Sequence, residues 1–116
     1  HLLKYDSVHG TFRADVQIEG DSLVIDGKKI KILQERDPAN IDWKALGVEV
    51  VLECTGKFTE RSAAAIHLAQ GAKKVLVSAP AENADATIVF GVNNAVLKKE
   101  HDVASVGSCT TNCLAP

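Results

Sequence analysis

The 116-residue sequence predicts an α/β fold built on a parallel sheet, of the kind found in doubly wound domains. Two short apolar runs, Glu49–Glu53 and Lys74–Val77, flank an alanine-rich segment with helical spacing that closes at Gly71, the pattern of a β-α-β unit. A third run, Asp102–Gly107, is rich in small and β-branched residues and ends on glycine, so it reads as a buried strand entering a tight turn. Composition agrees with a globular domain: 46% of residues are hydrophobic and the net charge is −2.

In chain order, Leu2–Tyr5 reads as a helix end and His9-Gly10 as a turn. Ala14, Val16 and Ile18, then Leu23 and Ile25, alternate with polar neighbours, and Asp26-Gly27 supplies a tight turn into Lys29–Leu33; together these form a β-meander. Asp37 as N-cap, Pro38 at the first helical position and Gly47 beyond the last turn bound a short helix through Ile41, Ala45 and Leu46. Glu49–Glu53 is a buried strand. Thr59 caps the next helix, in which Ala63, Ile66 and Leu68 are apolar and His67 is a surface or packing residue. Lys74–Val77 is the second buried strand. Ala86–Phe90 and Val103–Val106 extend the sheet, with a short helix across Asn93–Lys99 between them.

Several function classes are disfavoured at once. The 13 basic and 15 acidic side chains are interspersed, so no nucleic-acid partner is expected. The apolar runs are too short to span a bilayer. Three cysteines cannot all pair within the chain, and Cys109 and Cys113 are poorly placed for a disulfide across one helical turn, which fits a reducing, cytoplasmic compartment. Those two cysteines have the helical spacing of a ligand pair. With Cys54 as their only cysteine companion and no Cys-x-x-Cys, however, no metal site is expected.

Ser108-Cys109-Thr110-Thr111-Asn112-Cys113 carries most of the chemical information. Cys109 at the opening of a helix would meet unpaired backbone N–H groups and the positive end of the helix dipole, which favour the nucleophilic thiolate. Ser108, Thr110 and Thr111 add hydroxyls suited to a phosphate or a developing oxyanion. From local sequence alone a cysteine at a strand end is more commonly a packing residue. Cys113, one turn further on, reads as the deeper of the two, and Cys54 as packing.

The segment Ser108–Pro116 resembles the active site of phosphorylating glyceraldehyde-3-phosphate dehydrogenases. So do His1–Gly10, Glu35–Asn40, Cys54-Thr55-Gly56, Gly71–Pro80 and Gly91-Val92-Asn93, in the same order and spacing. The resemblance covers the whole chain. It implies that Cys109 attacks an aldehyde to give a thiohemiacetal, that hydride passes to NAD (or NADP), and that phosphate releases the thioester as an acyl phosphate. It implies substrate or phosphate contacts at Ser108 and Thr110. Cofactor contacts fall at Arg36 toward the adenosine, Thr55 and Gly56 near phosphates and ribose, and Ser78 near the nicotinamide. It also implies a homotetramer acting in glycolysis on a small phosphorylated aldehyde. The family usually has asparagine and alanine where this chain has Val106 and Gly107, and Gly107 is expected to loosen the turn that aims the nucleophile.

The implied fold is an incomplete Rossmann-type NAD-binding domain. Residues 1–107 form a partial dinucleotide-binding domain, and residues 108–116 open the catalytic domain. No Gly-x-Gly fingerprint is present, and all four histidines precede Cys109, so the family's general base is not among them. Both ends therefore read as cut. In the strand order 3-2-1-4-5-6 the chain would keep the third to sixth strands and lack the first two, so the isolated segment is expected to be unstable and inactive. Erythrose-4-phosphate dehydrogenase is the alternative within this class. A thiol hydrolase using Cys109 without nicotinamide is the alternative outside it.

Overall fold

The computed structural model describes all 116 residues, which form two compact units, His1–Gln34 and Glu35–Pro116. In the first, β1 (Tyr5–Asp6) pairs antiparallel with β2 (Gly10–Thr11). The expected helix end at Leu2–Tyr5 is a single turn: the amides of Lys4 and Tyr5 both donate to the His1 carbonyl, at 2.9 and 3.0 Å, before the chain extends. Asp6 Oδ1 accepts from the Val8 and His9 amides at 2.8 and 2.6 Å, which makes His9 a turn residue as expected.

The meander is present as β3 (Val16–Glu19), β4 (Ser22–Ile25) and β5 (Lys28–Lys31), all antiparallel. Its second turn follows from local chemistry. Ile25 pairs with Lys28, and the intervening Asp26 and Gly27 take φ of +47° and +78°, the left-handed pair that a type I′ hairpin requires.

The second unit holds the α/β core. β6 (Val50–Glu53), β7 (Lys74–Val77), β8 (Ala86–Thr87) and β9 (Val103–Ser105) form a four-stranded parallel sheet in the order β6-β7-β9-β8. Val75, Val77 and Val103 pack with Ala64 in its centre, and Phe58, Leu68, Ala79 and Ala81 close around them. β6 differs from its expected full burial. As the sheet's edge it buries Val51 and Glu53 but leaves Val50 and Leu52 exposed, because no helix of the chain covers that face. β8 is shorter than expected because Asn93 Oδ1 accepts the Val89 amide at 2.7 Å, taking the chain out of the ladder after Thr87. The helix expected at Asn93–Lys99 is one 3₁₀ turn, Asn94–Val96.

Two helices also depart from the expected form. Asp37 caps as predicted, accepting the Ala39 amide at 3.0 Å with Pro38 in the first turn, but the 3₁₀ helix ends at Asn40. Asp42 then starts a separate turn by accepting the Ala45 amide at 2.9 Å, and Gly47 closes it with φ of +68°. In the alanine-rich segment the cap is Glu60, not Thr59: its carboxylate accepts the Ser62 amide at 2.9 Å. Glu60 still bridges Glu82 in extended backbone, so the helix starts one residue later than Thr59 would place it. It runs as α1 (Arg61–Ala64) and α2 (Ile66–Ala69), joined at Ala65 and ended by Gly71.

Asp85 ties α1 to the sheet. Its Oδ1 accepts from Arg61 Nε at 2.6 Å, and its Oδ2 accepts from the amides of Asp102 and Val103 at 2.8 and 2.9 Å, where β9 begins. The Arg61 guanidinium, then the Val103 and Asp102 amides, hold its carboxyl well below the usual carboxylate range. A carboxyl depressed on folding contributes stability above its unfolded pKa and loses it as pH falls through the folded value. Asp85→Asn is therefore expected to cost about 1–3 kcal/mol at neutral pH, chiefly through the lost Arg61 pair, since the Asn carbonyl oxygen can still accept the two amides. The gap between variant and wild-type urea midpoints should narrow as pH falls below about 5. A gap independent of pH would assign the loss to packing instead.

Candidate active site

The register of the parallel sheet sets the site. Glu53, Val77 and Ser105 lie side by side at the C-terminal ends of β6, β7 and β9. The segments that leave those ends carry Thr55-Gly56, Ser78 and Ser108-Cys109, so residues far apart in sequence emerge along one edge of the sheet. Open α/β sheets bind ligands outside this edge.

Beyond β6 the chain makes a tight turn. Glu53 accepts the Thr55 amide at 2.7 Å and also the Thr55 hydroxyl, while Thr55 Oγ1 accepts the Lys57 amide at 3.2 Å. Gly56 has φ of +73°, a conformation that L side chains rarely adopt. This turn lines a cleft of about 290 Å³ together with Arg36, Cys54 and Lys57. Arg36 is exposed and its guanidinium is in no ion pair, so it is free for an anionic or planar ligand. The predicted residues Arg36 and Thr55 therefore share one cleft, and Gly56 continues its rim.

Three residues behind this cleft were not singled out as site residues. Glu53 and His67 are 5% and 4% exposed, with His67 Nε2 3.0 Å from Glu53 Oε2, and Trp43 Nε1 donates to His67 Nδ1 at 3.2 Å. Burial pushes the Glu53 carboxyl up, but bonds from the Thr55 hydroxyl, His67 and the Thr55 amide outweigh it and hold it below its ordinary value. The available signal was a glutamate at an inward position of an otherwise apolar strand.

Beyond β9 lies a second cleft, of about 440 Å³, lined by Thr59, Glu82, Gly107, Ser108, Thr111 and Asn112 among others. Asn112 organises it. Ser108 Oγ accepts both the Asn112 amide at 2.8 Å and its Nδ2 at 2.7 Å, and the same Nδ2 donates to the Val106 carbonyl at 3.3 Å. With both lone pairs of Ser108 Oγ engaged, its single hydrogen is left to donate, which suits an anion.

Cys109 is exposed, with its sulfur 4.0 Å from Thr110 Oγ1. It does not open a helix as expected. Thr110 is the N-cap of α3 (Thr111–Leu114), a single turn, and Cys109 stands in the loop ahead of it. Cys113 and Cys54 are also exposed, contrary to the packing roles expected for them: no element covers the outer face of α3, and Cys54 lies past the last paired residue of β6 on the rim of the first cleft.

Gly107 corrects another expectation. A Cβ on it would lie 2.1 Å from the Ser78 carbonyl oxygen, so the residue is a close approach between two loops and not a loosened turn. His67 is committed to Trp43 and Glu53, and His101 precedes β9 and accepts from the Lys98 amide at 3.3 Å, so neither is placed for proton transfer at Cys109. No group of three or more His, Cys, Asp or Glu side chains is arranged to hold a metal ion.

Comparison with known proteins identifies the family. Residues 1–61 match the family model for glyceraldehyde 3-phosphate dehydrogenase, NAD binding domain. Over its whole length the chain is 57% identical to the glyceraldehyde-3-phosphate dehydrogenase of Geobacillus stearothermophilus and 56% identical to glyceraldehyde-3-phosphate dehydrogenase 1 of Bacillus subtilis. Identity to the Pseudomonas aeruginosa enzyme of the same name is 53%. The chain spans 35% of the length of each of these relatives.

Proposed function

The chain belongs to the glyceraldehyde-3-phosphate dehydrogenase family and carries sequence of its Rossmann-type NAD-binding domain, and from that premise we propose that the protein carrying it oxidises D-glyceraldehyde 3-phosphate to 1,3-bisphosphoglycerate. The observation that supports this reading most directly is the alignment of Thr55-Gly56, Ser78 and Cys109 beyond the C-terminal ends of β6, β7 and β9. The residues present fit a dinucleotide: the Gly56 turn leaves backbone open beside the cleft, and Arg36 is unpaired on the same cleft.

Cys109 thiolate attacks the aldehyde carbon, forming a C–S bond and placing the charge on oxygen. NAD, when bound, supplies the hydride acceptor that converts this adduct to a thioester. Arg36, Thr55, Gly56 and Ser78 hold the cofactor. Ser108 and Thr110 donate hydroxyl hydrogens to phosphate, whose oxygen attacks the thioester carbon, and the C–S bond breaks to return the thiolate. Residues 1–107 serve the dinucleotide and 108–116 open the catalytic part. The working protein is a cytoplasmic homotetramer.

The test is NADH formation by the purified protein from glyceraldehyde 3-phosphate, NAD and phosphate, with erythrose 4-phosphate and NADP as comparison substrates. Phosphate-dependent turnover faster on the triose is expected. Faster turnover on the tetrose would move the protein to the neighbouring activity, and thioester hydrolysis without nucleotide binding would overturn the dehydrogenase reading.

A further inference from the structure

We propose that Trp43, His67 and Glu53 form a buried hydrogen-bond relay whose output is the shape of the Thr55–Gly56 turn, making them positioning residues for the cofactor; this rests on the NAD-dependent reading above. The direction of the relay follows from donor chemistry. An indole N–H only donates, so Trp43 Nε1, 3.2 Å from His67 Nδ1, requires that nitrogen to be the acceptor. The imidazole proton then sits on Nε2 and donates to Glu53 Oε2 at 3.0 Å. The other carboxylate oxygen is left to accept the Thr55 amide at 2.7 Å and the Thr55 hydroxyl. With its hydrogen committed, Thr55 Oγ1 presents a lone pair to the Lys57 amide and so bridges Gly56.

The ring of His67 is held on both sides. Trp43 and Phe58 lie with ring centroids 5.8 and 6.0 Å from it. A buried ionised carboxylate beside an imidazole is weak evidence for stability, since an apolar pair of similar volume packs at no desolvation cost. What this arrangement adds is direction: its terminal oxygen grips a turn on the wall of the cleft that Arg36 also lines. Arg36 and Thr55 are the surface of that site, and Trp43, His67 and Glu53 set its depth.

The test compares Glu53→Gln, Trp43→Phe and Thr55→Val in the protein carrying this chain. Glu53→Gln replaces an acceptor with a donor at one end of the relay, and Trp43→Phe keeps the ring while removing the N–H. The KM for NAD is expected to rise about tenfold in Glu53→Gln, the equivalent of one charge-assisted hydrogen bond. A rise of a few-fold is expected in Trp43→Phe and Thr55→Val. In Glu53→Gln and Trp43→Phe, turnover at saturating NAD and the KM for the aldehyde should stay within about twofold of wild type. A residue that only supports folding would lower the melting temperature or the turnover while leaving the KM for NAD unchanged, and that result overturns the relay. If Glu53→Gln does not fold, an unchanged KM for NAD in both other variants overturns it equally. Wild-type protein with no NAD-dependent activity would overturn the proposed function and the relay's role with it, whereas active wild type with an unchanged KM for NAD in the variants overturns the relay alone.

Discussion

Cys109→Ala in the protein carrying this chain is expected to lower turnover on the order of 10⁴-fold or more, with NAD binding and the melting temperature unchanged. The size follows from the role: without the sulfur there is no C–S bond and no thioester for phosphate to attack. The selectivity follows from the structure. Cys109 is exposed, lies ahead of α3, and its sulfur is paired with Thr110 Oγ1 alone, so no core hydrogen bond depends on it. Cys54 and Cys113 are exposed as well, and accessibility alone does not separate the three thiols. Reactivity does. Substoichiometric iodoacetamide should modify Cys109 first, with activity lost in parallel, and Cys54→Ala and Cys113→Ala should each keep turnover within about twofold. Preferential labelling of Cys113 or Cys54 that removes activity would assign the chemistry to the wrong sulfur.

The parts of this fold that are legible in the sequence are those decided by a few adjacent residues. Asp26-Gly27 announces its hairpin because the turn type demands two left-handed residues there, and both comply. Asp37-Pro38 announces a cap for the same kind of reason. The misjudged boundaries are those where side chains compete for the backbone. Asp42 restarts a turn, Asn93 ends β8, and Glu60 takes the cap expected of Thr59. The site divides in the same way. The chemistry of Cys109 is written in its own hexapeptide, whereas Glu53 meets His67 and Trp43 only because β6, α2 and the turn after Ile41 come together. Periodicity along one segment carries no record of such a meeting. The exposure of Cys54 and Cys113 was illegible for the opposite reason: residue type inclines a free cysteine to burial, but only packed neighbours can bury it.

Gly107→Ala is expected to lower kcat/KM about 10²-fold. The argument is one of space and not of backbone freedom. The added Cβ would meet the Ser78 carbonyl oxygen at 2.1 Å, its carbon at 2.2 Å and the Ala79 nitrogen at 2.6 Å, all backbone atoms that cannot rotate away. Upstream, the Val106 amide is fixed to the Val77 carbonyl at 2.9 Å, so the strain passes downstream into Ser108 and Cys109. A displacement of about 1 Å at a nucleophile is enough for a loss of this size. Stability should also fall, by about 1–3 kcal/mol, as for other overpacked sites. Val106→Asn is the control. Val106 is 36% exposed and its side chain has room outside the sheet, so activity should stay within a few-fold of wild type. Slower alkylation of Cys109 in Gly107→Ala than in Val106→Asn would place the damage in the aim of the sulfur. Wild-type kcat/KM in Gly107→Ala would mean that the two loops separate at no cost, and that Ser78 does not set the position of Cys109 through Gly107.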